Sequence, residues 1–403
     1  MNRDFKNIAN LGKYFRLSNT PPLFMKGKNE ILFDKNNKKF IDLACGSGTS
    51  VLGYKNSNTI KNLKKTLDQG ITHLGPHFLS SIHLKYLKEL SNFFKKKYEI
   101  FNFATNGTEA VETALKVAFH HTKKKKILYF SGSYHGRTGY SLLSSDMKGK
   151  NKEFFTNNNQ FIKCEFNNES DFTKKFNKFK NDLAAVIIEP IQATSGFNFA
   201  NKKFLAHIKK NISKSNTLLI FDEVWTGFGK TGYNFAYEYF KIAPDIVILG
   251  KSIGGGLPLG LVALRNNIKN YFPGAQSSTF QGNILSIHSS YFFLKELRKI
   301  NYLKKVRKIE YFFDNHKTNL TQYKFVKDFR GIGYMWGIEI NNNYFKKKDM
   351  TNKIRTTLLQ KGLLTWECGV DSNVIGLVPP IIISKANLNK SMKLIYETFN
   401  KLN

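Results

Sequence analysis

The chain has 403 residues, 41% of them hydrophobic, with 63 lysines and arginines against 29 aspartates and glutamates, a formal charge of +34. That length and apolar content mark a globular protein with a large core in two closely associated domains, and no apolar run reaches the ~18–20 residues of a membrane helix. The charge raises nucleic acid or an anionic membrane as partners, yet the lysines are scattered: Lys123 to Lys126, Lys174 and Lys175, Lys202 and Lys203, Lys346 to Lys348. They read as a solvated surface, so no membrane partner is expected and nucleic acid is disfavoured. Cys45, Cys164 and Cys368 lie far apart in no metal spacing, which suits a reducing compartment and argues against structural zinc. Met1 to Arg16 is polar and mixed in charge, unlike a signal peptide. The expectation is a soluble, cytoplasmic protein.

In chain order, Glu30 to Phe33 and Lys39 to Leu43 are strand-like, joined by the turn Asp34-Lys35-Asn36-Asn37. Helical spacing follows from Thr59 to Leu67 and from Ser81 to Phe94. Phe103-Ala104-Thr105-Asn106-Gly107-Thr108-Glu109-Ala110 then precedes a helical pattern reaching His121. A glycine and a hydroxyl residue at a helix start present N–H groups and the positive dipole end to an anion, although N-G-T-E alone is equally an ordinary cap. The strand Ile127 to Phe130 leads into S-G-S-Y-H-G-R-T at 131–138, and His120 and His121 read as helix-surface residues. Residues 146–182 carry little signal. Strand-like Ala184 to Ile188 delivers Glu189-Pro190-Ile191-Gln192, and a helix runs from Lys202 to Lys214.

Two β-branched apolar runs, Leu218 to Phe221 and Ile246 to Leu249, read as buried strands of a parallel sheet. Asp222 ends the first, and Lys251, after Gly250, ends the second. Open α/β sheets bind ligands beyond the carboxyl ends of their strands. A lysine there can carry a Schiff base once its charge is suppressed, as pyridoxal phosphate requires, together with a carboxylate on its pyridine nitrogen. A buried ion pair between two strands fits the spacing equally well. Beyond Ser278-Thr279-Phe280-Gln281-Gly282-Asn283, helices (about 285–316, 348–361 and 386–402) alternate with strands around Tyr334 to Ile340 and Val374 to Val378. That pattern reads as an α+β cap.

D-E-V-W-T-G-F-G-K-T-G at 222–232 and P-D-I-V-I-L-G-K at 244–251 resemble the signature of class III pyridoxal-phosphate-dependent aminotransferases, among them the ornithine, acetylornithine, 4-aminobutyrate and diaminobutyrate enzymes. The resemblance extends from about Leu32 to about Ser384. It implies an α/β protein of fold-type I, with a large, mainly parallel seven-stranded α/β/α domain over 54–284. A small α+β domain would be built from both termini, 1–53 and 285–403. It implies pyridoxal 5'-phosphate as cofactor, Lys251 as the Schiff-base lysine and Asp222 as the pyridine-nitrogen partner. Gly107 and Thr108 become phosphate binders, Tyr134 stacks on the ring, Glu189 sits near the phenolate side, and Val224 completes the pocket. Thr279 would reach the phosphate of the other subunit, which implies a homodimer with shared sites. Arg137 is the implied grip on a substrate carboxylate.

Three positions depart from the family pattern. Trp225 stands where ornithine and acetylornithine enzymes carry a glutamine, Gly376 where many members carry a carboxylate-binding arginine, and Thr194 where some carry the glutamate that pairs with it. Losing both partners together is coherent, because either alone would leave an unpaired charge. Arg137 and Arg330 remain as anion contacts, and Arg330 equally suits bracing a turn. Gly362 to Gly369 resembles the matching segment of diaminobutyrate-type enzymes, and Trp225 and Trp366 either line the substrate channel or pack. The expected activity is transfer of an amino group, a terminal one on a diamino or ω-amino acid, to a 2-oxo acid by ping-pong chemistry. The rivals are an aminomutase of the glutamate-1-semialdehyde type, which H-G-R-T at 135–138 disfavours, and a tailoring aminotransferase for a larger biosynthetic intermediate.

Overall fold

A computed structural model describes residues 22–146, 159–269, 271, 274–345 and 349–402. The readings of Met1 to Arg16 and of Lys346 to Lys348 lie outside those residues. Three strands open the described chain: β1 (Phe24–Lys28), β2 (Ile31–Asp34) and β3 (Lys39–Leu43). Next come β4 (Ile100–Ala104), β5 (Lys126–Phe130), β6 (Phe161–Cys164), β7 (Leu183–Ile188) and the short pair β8 (Ile191–Gln192) and β9 (Asn198–Phe199). β10 (Leu218–Asp222), β11 (Ile246–Leu249) and β12 (Gly260–Leu264) follow, then β13 (Val326–Ile332), β14 (Met335–Ile340), β15 (Leu363–Cys368) and β16 (Val374–Leu377). The chain divides into two compact units, Met1–Asn56 with Arg307–Asn403, and Ser57–Val306.

The larger unit holds a seven-stranded sheet in the order β4-β12-β11-β10-β7-β5-β6. Its neighbours are parallel except where β12 runs against β11 and β4. Every residue of β7, β10 and β11 is buried, as expected of parallel strands covered on both faces. Each fully buried Leu, Ile or Val is worth ~1.5–3 kcal/mol, so a charge is tolerated only where such a run stops. The helix Gly107–Thr122 packs across this sheet through Ala110, Val111, Ala114, Leu115, Val117 and Ala118.

The sequence placed the end of this unit at 284, but it continues to Val306. The helix Ile284–Lys299 joins the helices Ser57–Asp68 and Ser81–Phe93: Ser290 donates to the Tyr86 hydroxyl at 2.6 Å, Asn58 to Glu296 at 3.0 Å, and Arg298 pairs with Glu89 at 3.2 Å. The single helix expected over about 285–316 is broken. Asn301 takes φ +47°, and a second helix, Tyr302–Asp314, starts beyond it.

In the smaller unit the order is β1-β2-β3-β15-β16-β14-β13. All pairs are antiparallel except β3 with β15, which joins the two ends of the chain. β1, β13 and β15 are additions to the strands the sequence indicated. Among the described residues no helix is long and apolar enough to cross a membrane.

Candidate active site

β4, β5, β7, β10 and β11 run in one direction and end at one edge of the larger sheet. That edge therefore receives Thr105 to Gly107, the 131–138 loop, Glu189, Asp222 and Lys251 together. Lys251 opens a 3₁₀ turn, Lys251–Gly254, with φ +50°. It is only partly buried as a residue, yet desolvation of its amine lowers the pKa to about 8, against the pull of the Asp222 and Glu189 carboxylates. An amine with that value is unprotonated in about one molecule in ten at pH 7, far more often than an ordinary lysine, which brings it closer to acting as a nucleophile or base.

Asp222 is buried at the end of β10, where its Oδ1 accepts the Val224 N–H at 3.0 Å. Its Oδ2 lies 2.7 Å from Nδ1 of His135, itself buried and held by its N–H to Ser145 Oγ at 2.8 Å. With the carboxylate accepting, Nδ1 carries the hydrogen. His135 Nε2 has no hydrogen-bond partner among the described residues. Glu189 accepts the Tyr134 N–H at 2.8 Å, and burial, then the charge of Asp222, raises its pKa well above the usual range.

The helix start closes on these groups. A Cβ on Gly107 would lie 3.1 Å from both methyls of Val224, and one on Gly250 would lie 3.0 Å from Cα of Gly107. Only glycine permits that approach between the helix start and the end of β11. Asn106 caps the helix through Glu109 N–H at 3.0 Å, and no described residue takes the N–H groups of Gly107 and Thr108. Trp225 is buried with its ring centroid 4.7 Å from Lys251 Nζ.

Arg137 lies with its Cζ 5.7 Å from the Tyr134 ring centroid and lines a cleft of about 450 Å³ with Thr108, Glu109 and Glu112. Glu109 accepts the Thr105 N–H at 2.7 Å, and Glu112 accepts those of Ser141 and Tyr140 at 2.8 and 3.1 Å. Both carboxylates are thus engaged, and Arg137 forms no ion pair among the described residues.

Other candidates lie elsewhere. Thr279 is exposed on a turn closed by the Gln281 N–H to Ser278 O at 3.1 Å. Arg330 and Trp366 belong to the smaller unit. Arg330 bridges β13 and β14 through Glu339 at 2.6 Å and also pairs with Asp328 at 3.0 Å, which is the bracing role. Trp366 and Gly376 are cross-strand partners, and a Cβ at 376 would lie 3.1 and 3.2 Å from Cε3 and Cβ of Trp366. Any side chain at 376, an arginine included, would need Trp366 to give way by a few tenths of an ångström. Thr194 is half-buried in the loop after β8.

Sequence reasoning missed three residues. His135 was read only as part of H-G-R-T; a lone histidine past a strand end gave no sign of its aspartate partner 87 positions away. Glu223 is an anchor, accepting the Ala236 and Tyr237 N–H groups at 2.6 and 2.9 Å and the Thr226 hydroxyl at 2.9 Å, with burial raising its pKa to about 7. Lys230 is fully buried and donates to Ser252 Oγ at 2.8 Å, tying the T-G-F-G-K-T-G stretch to the turn that begins at Lys251.

A near-neutral lysine amine, a carboxylate oriented by histidine, an aromatic side chain and a helix start with open N–H groups fit pyridoxal phosphate. A parallel sheet gathering them at its carboxyl edge defines the fold-type I class of pyridoxal-phosphate proteins. The chain belongs to the class III aminotransferases: the family's model, described as Aminotransferase class-III, matches residues 16–399. It is 33% identical over 380 residues to the LysW-aminoadipate semialdehyde/glutamate semialdehyde transaminase of Sulfolobus acidocaldarius, covering 94% of this chain and 95% of that one. It is 30% identical to the acetylornithine aminotransferase of Clostridium acetobutylicum, with 93% and 95% covered. The fold matches an ornithine aminotransferase from Toxoplasma gondii at TM-score 0.88 and 23% identity, over 99% of this chain and 94% of that one. A transaminase from the marine bacterium Virgibacillus matches at TM-score 0.87 and 20% identity, over 95% and 93%. The protein is a pyridoxal-phosphate-dependent aminotransferase, working between an amino donor and a keto acid.

Proposed function

We propose that the amino donor is a terminal amine on a chain whose far end carries a carboxylate, as in ornithine, N-acetylornithine or diaminobutyrate, and that a 2-oxo acid is the acceptor. The observation that carries this reading is the convergence of Lys251, lowered to about 8, with Asp222 and Glu189 at one sheet edge. The relatives named for acetylornithine and for aminoadipate semialdehyde support the terminal amine. Arg137, without an ion pair among the described residues, grips the distal carboxylate, as a guanidinium fork does well.

Pyridoxal phosphate, when bound, supplies the carbonyl that takes up the amine and a ring that spreads the resulting negative charge. Lys251 Nζ takes the proton from the substrate carbon as general base and, as the conjugate acid, would deliver it to the cofactor carbon that took up the amine. Asp222, oriented by His135 and the Val224 N–H, keeps a proton on the pyridine nitrogen. Glu189, its pKa raised by burial and by the charge of Asp222, stands beside Tyr134, whose N–H it accepts. Gly107 and Thr108 bind phosphate through the helix-start N–H groups. Val224 would pack against the cofactor's ring, and Trp225 walls the space beside Lys251.

The enzyme works as a homodimer with Thr279 completing the neighbouring site. Exposed apolar side chains support this: Leu67, Ile71, Phe78, Leu79, Leu84 and Phe280, from 47% exposed at Ile71 to 67% at Phe78 and Leu79. Phe280 adjoins Thr279 and meets the His73 ring at 5.1 Å. Such a concentration marks an association surface. Cys45, Cys164 and Cys368 are buried thiols outside any disulfide, in keeping with a cytoplasmic location.

The test mixes the cofactor-loaded protein with single amines and no acceptor, and follows the cofactor's visible absorbance. N-acetylornithine, ornithine or 4-aminobutyrate should bleach it faster than the α-amine alanine. Bleaching by alanine alone, or by none of these, overturns the donor assignment.

A further inference from the structure

The Ser278–Asn283 turn is held in an asymmetric way. Its far end is fixed: Asn283 Oδ1 accepts the Leu285 and Ser286 N–H groups at 3.0 and 3.2 Å, and its Nδ2 reaches Thr72 O at 3.2 Å. Next to it, Gly282 has φ +65° and offers its carbonyl to His83 Nε2 at 2.8 Å. Among the described residues the near end is closed on itself, by Gln281 Oε1 accepting the Ser278 N–H at 3.2 Å and the Gln281 N–H donating to Ser278 O at 3.1 Å. Thr279 and Phe280, between the two ends, are exposed, with Phe280 lying against the His73 ring.

His83 is buried, and both of its nitrogens are committed. It is the third residue of the helix Ser81–Phe93, where Nδ1 accepts the Ser80 N–H at 3.1 Å in a capping box. Nδ1 is therefore the acceptor, Nε2 carries the hydrogen, and Nε2 donates to Gly282 O. One imidazole thus joins a helix cap to a turn 199 residues away. A Cβ on Gly282 would lie 3.3 Å from the Phe103 ring and 3.6 Å from Nε2, so the turn seats closely there.

We infer that His83 is a positioning residue acting on the neighbouring subunit's site: it fixes the turn that presents Thr279 to the phosphate bound by the other chain. This rests on the shared-site dimer proposed above. Without the Nε2 donor, the Gly282 carbonyl loses its buried partner and the turn loses its register on the helix. The Thr279 hydroxyl then no longer meets the phosphate from a fixed place. The effect falls on cofactor affinity in the opposite subunit.

The test is cofactor affinity, measured by titrating cofactor-free protein and following absorbance, in variants and in mixed dimers. His83→Ala should weaken binding about tenfold, the size of one hydrogen bond. His83→Gln should stay within about twofold of wild type, since glutamine at this position completes the same kind of capping box and retains an N–H donor. Thermal unfolding of the cofactor-free variants checks that the fold persists. In a dimer of a Lys251→Ala subunit with a His83→Ala subunit, the one competent lysine faces an intact turn, and affinity should be that of wild type. In a dimer of wild type with a Lys251→Ala/His83→Ala subunit, the competent lysine faces the loosened turn, and binding should be weak. Weak binding that follows the subunit's own His83 overturns the inference, as does no loss in His83→Ala when Thr279→Val does weaken binding. A monomer in solution, or unchanged affinity in Thr279→Val, sinks the shared-site reading itself.

Discussion

Charged side chains are handled in opposite ways in the two units. In the smaller unit, at Glu339 and at Arg355, they are paired with opposite charge. Glu339 is held below its ordinary pKa: burial would raise it, but hydrogen bonds from Lys327 at 2.8 Å and Arg330 at 2.6 Å outweigh that. Arg355 is buried with Glu367 at 2.6 Å and Thr365 O at 3.1 Å. At the carboxyl edge of the larger sheet the same residue types are left unbalanced. Two carboxylates crowd one lysine, Lys251 falls to about 8, and Glu189 rises well above its range. Matched pairs fix geometry, whereas displaced pKa values make groups that exchange protons near neutral pH. The contrast sets Arg330, held in ion pairs with Glu339 and Asp328, against Lys251, whose amine is shifted toward neutral pH and which we propose as the reacting lysine.

The largest expected effect breaks the reactive edge. Lys251→Ala should slow the amine half-reaction by about 10⁴-fold or more, the upper range for a lost acid–base group, as read by stopped-flow absorbance; a loss under tenfold would return Lys251 to a buried ion pair. Next comes pH. Because the pKa of Lys251 is lowered from 10.5 to about 8, the neutral amine is lost as pH falls below about 8. Acetylation of Lys251 in cofactor-free protein, followed by mass spectrometry, should therefore fall about tenfold per unit below pH 8 and level off above it. The stability contributed by this depressed lysine is present in full above 10.5 and is lost as pH falls through about 8. A reactivity midpoint near 10.5 would show that burial does not tune this amine.

A smaller effect tests the residue between the two styles. His135→Leu removes a hydrogen bond to a buried carboxylate, worth ~1.5–3 kcal/mol, and should slow the half-reaction about 10–100-fold. His135→Asn, which can still donate to Asp222, should recover part of it and shift the pH profile less. Equal losses in both variants would make His135 a packing residue. The smallest effect belongs to the matched unit. Arg330→Met should lower unfolding stability by about 0.5–1 kcal/mol and leave the half-reaction within about twofold. A large rise in the KM of the acceptor would instead make Arg330 an anion contact.

Much of this molecule was legible before any coordinates. The unbroken apolar runs of β10 and β11 read as buried parallel strands and that of β7 as a strand, because a sheet covered on both faces accepts such runs without polar alternation. A charge at the end of each run then had to sit at a strand exit, which placed Asp222, Glu189 and Lys251 on one edge. Tertiary structure decided the rest, because the deciding contacts join residues far apart in sequence. His135 gains meaning only when β5 and β10 bring it to Asp222, and His83 only when a helix cap meets the Ser278–Asn283 turn. Arg330 became a brace because β14 set Glu339 beside it, and Gly376 became intelligible once β15 laid Trp366 across it. Local pattern determines which residues are strands and where the strands end. Which side chains meet across those ends depends on strand order and register, and no run of neighbouring residues encodes either.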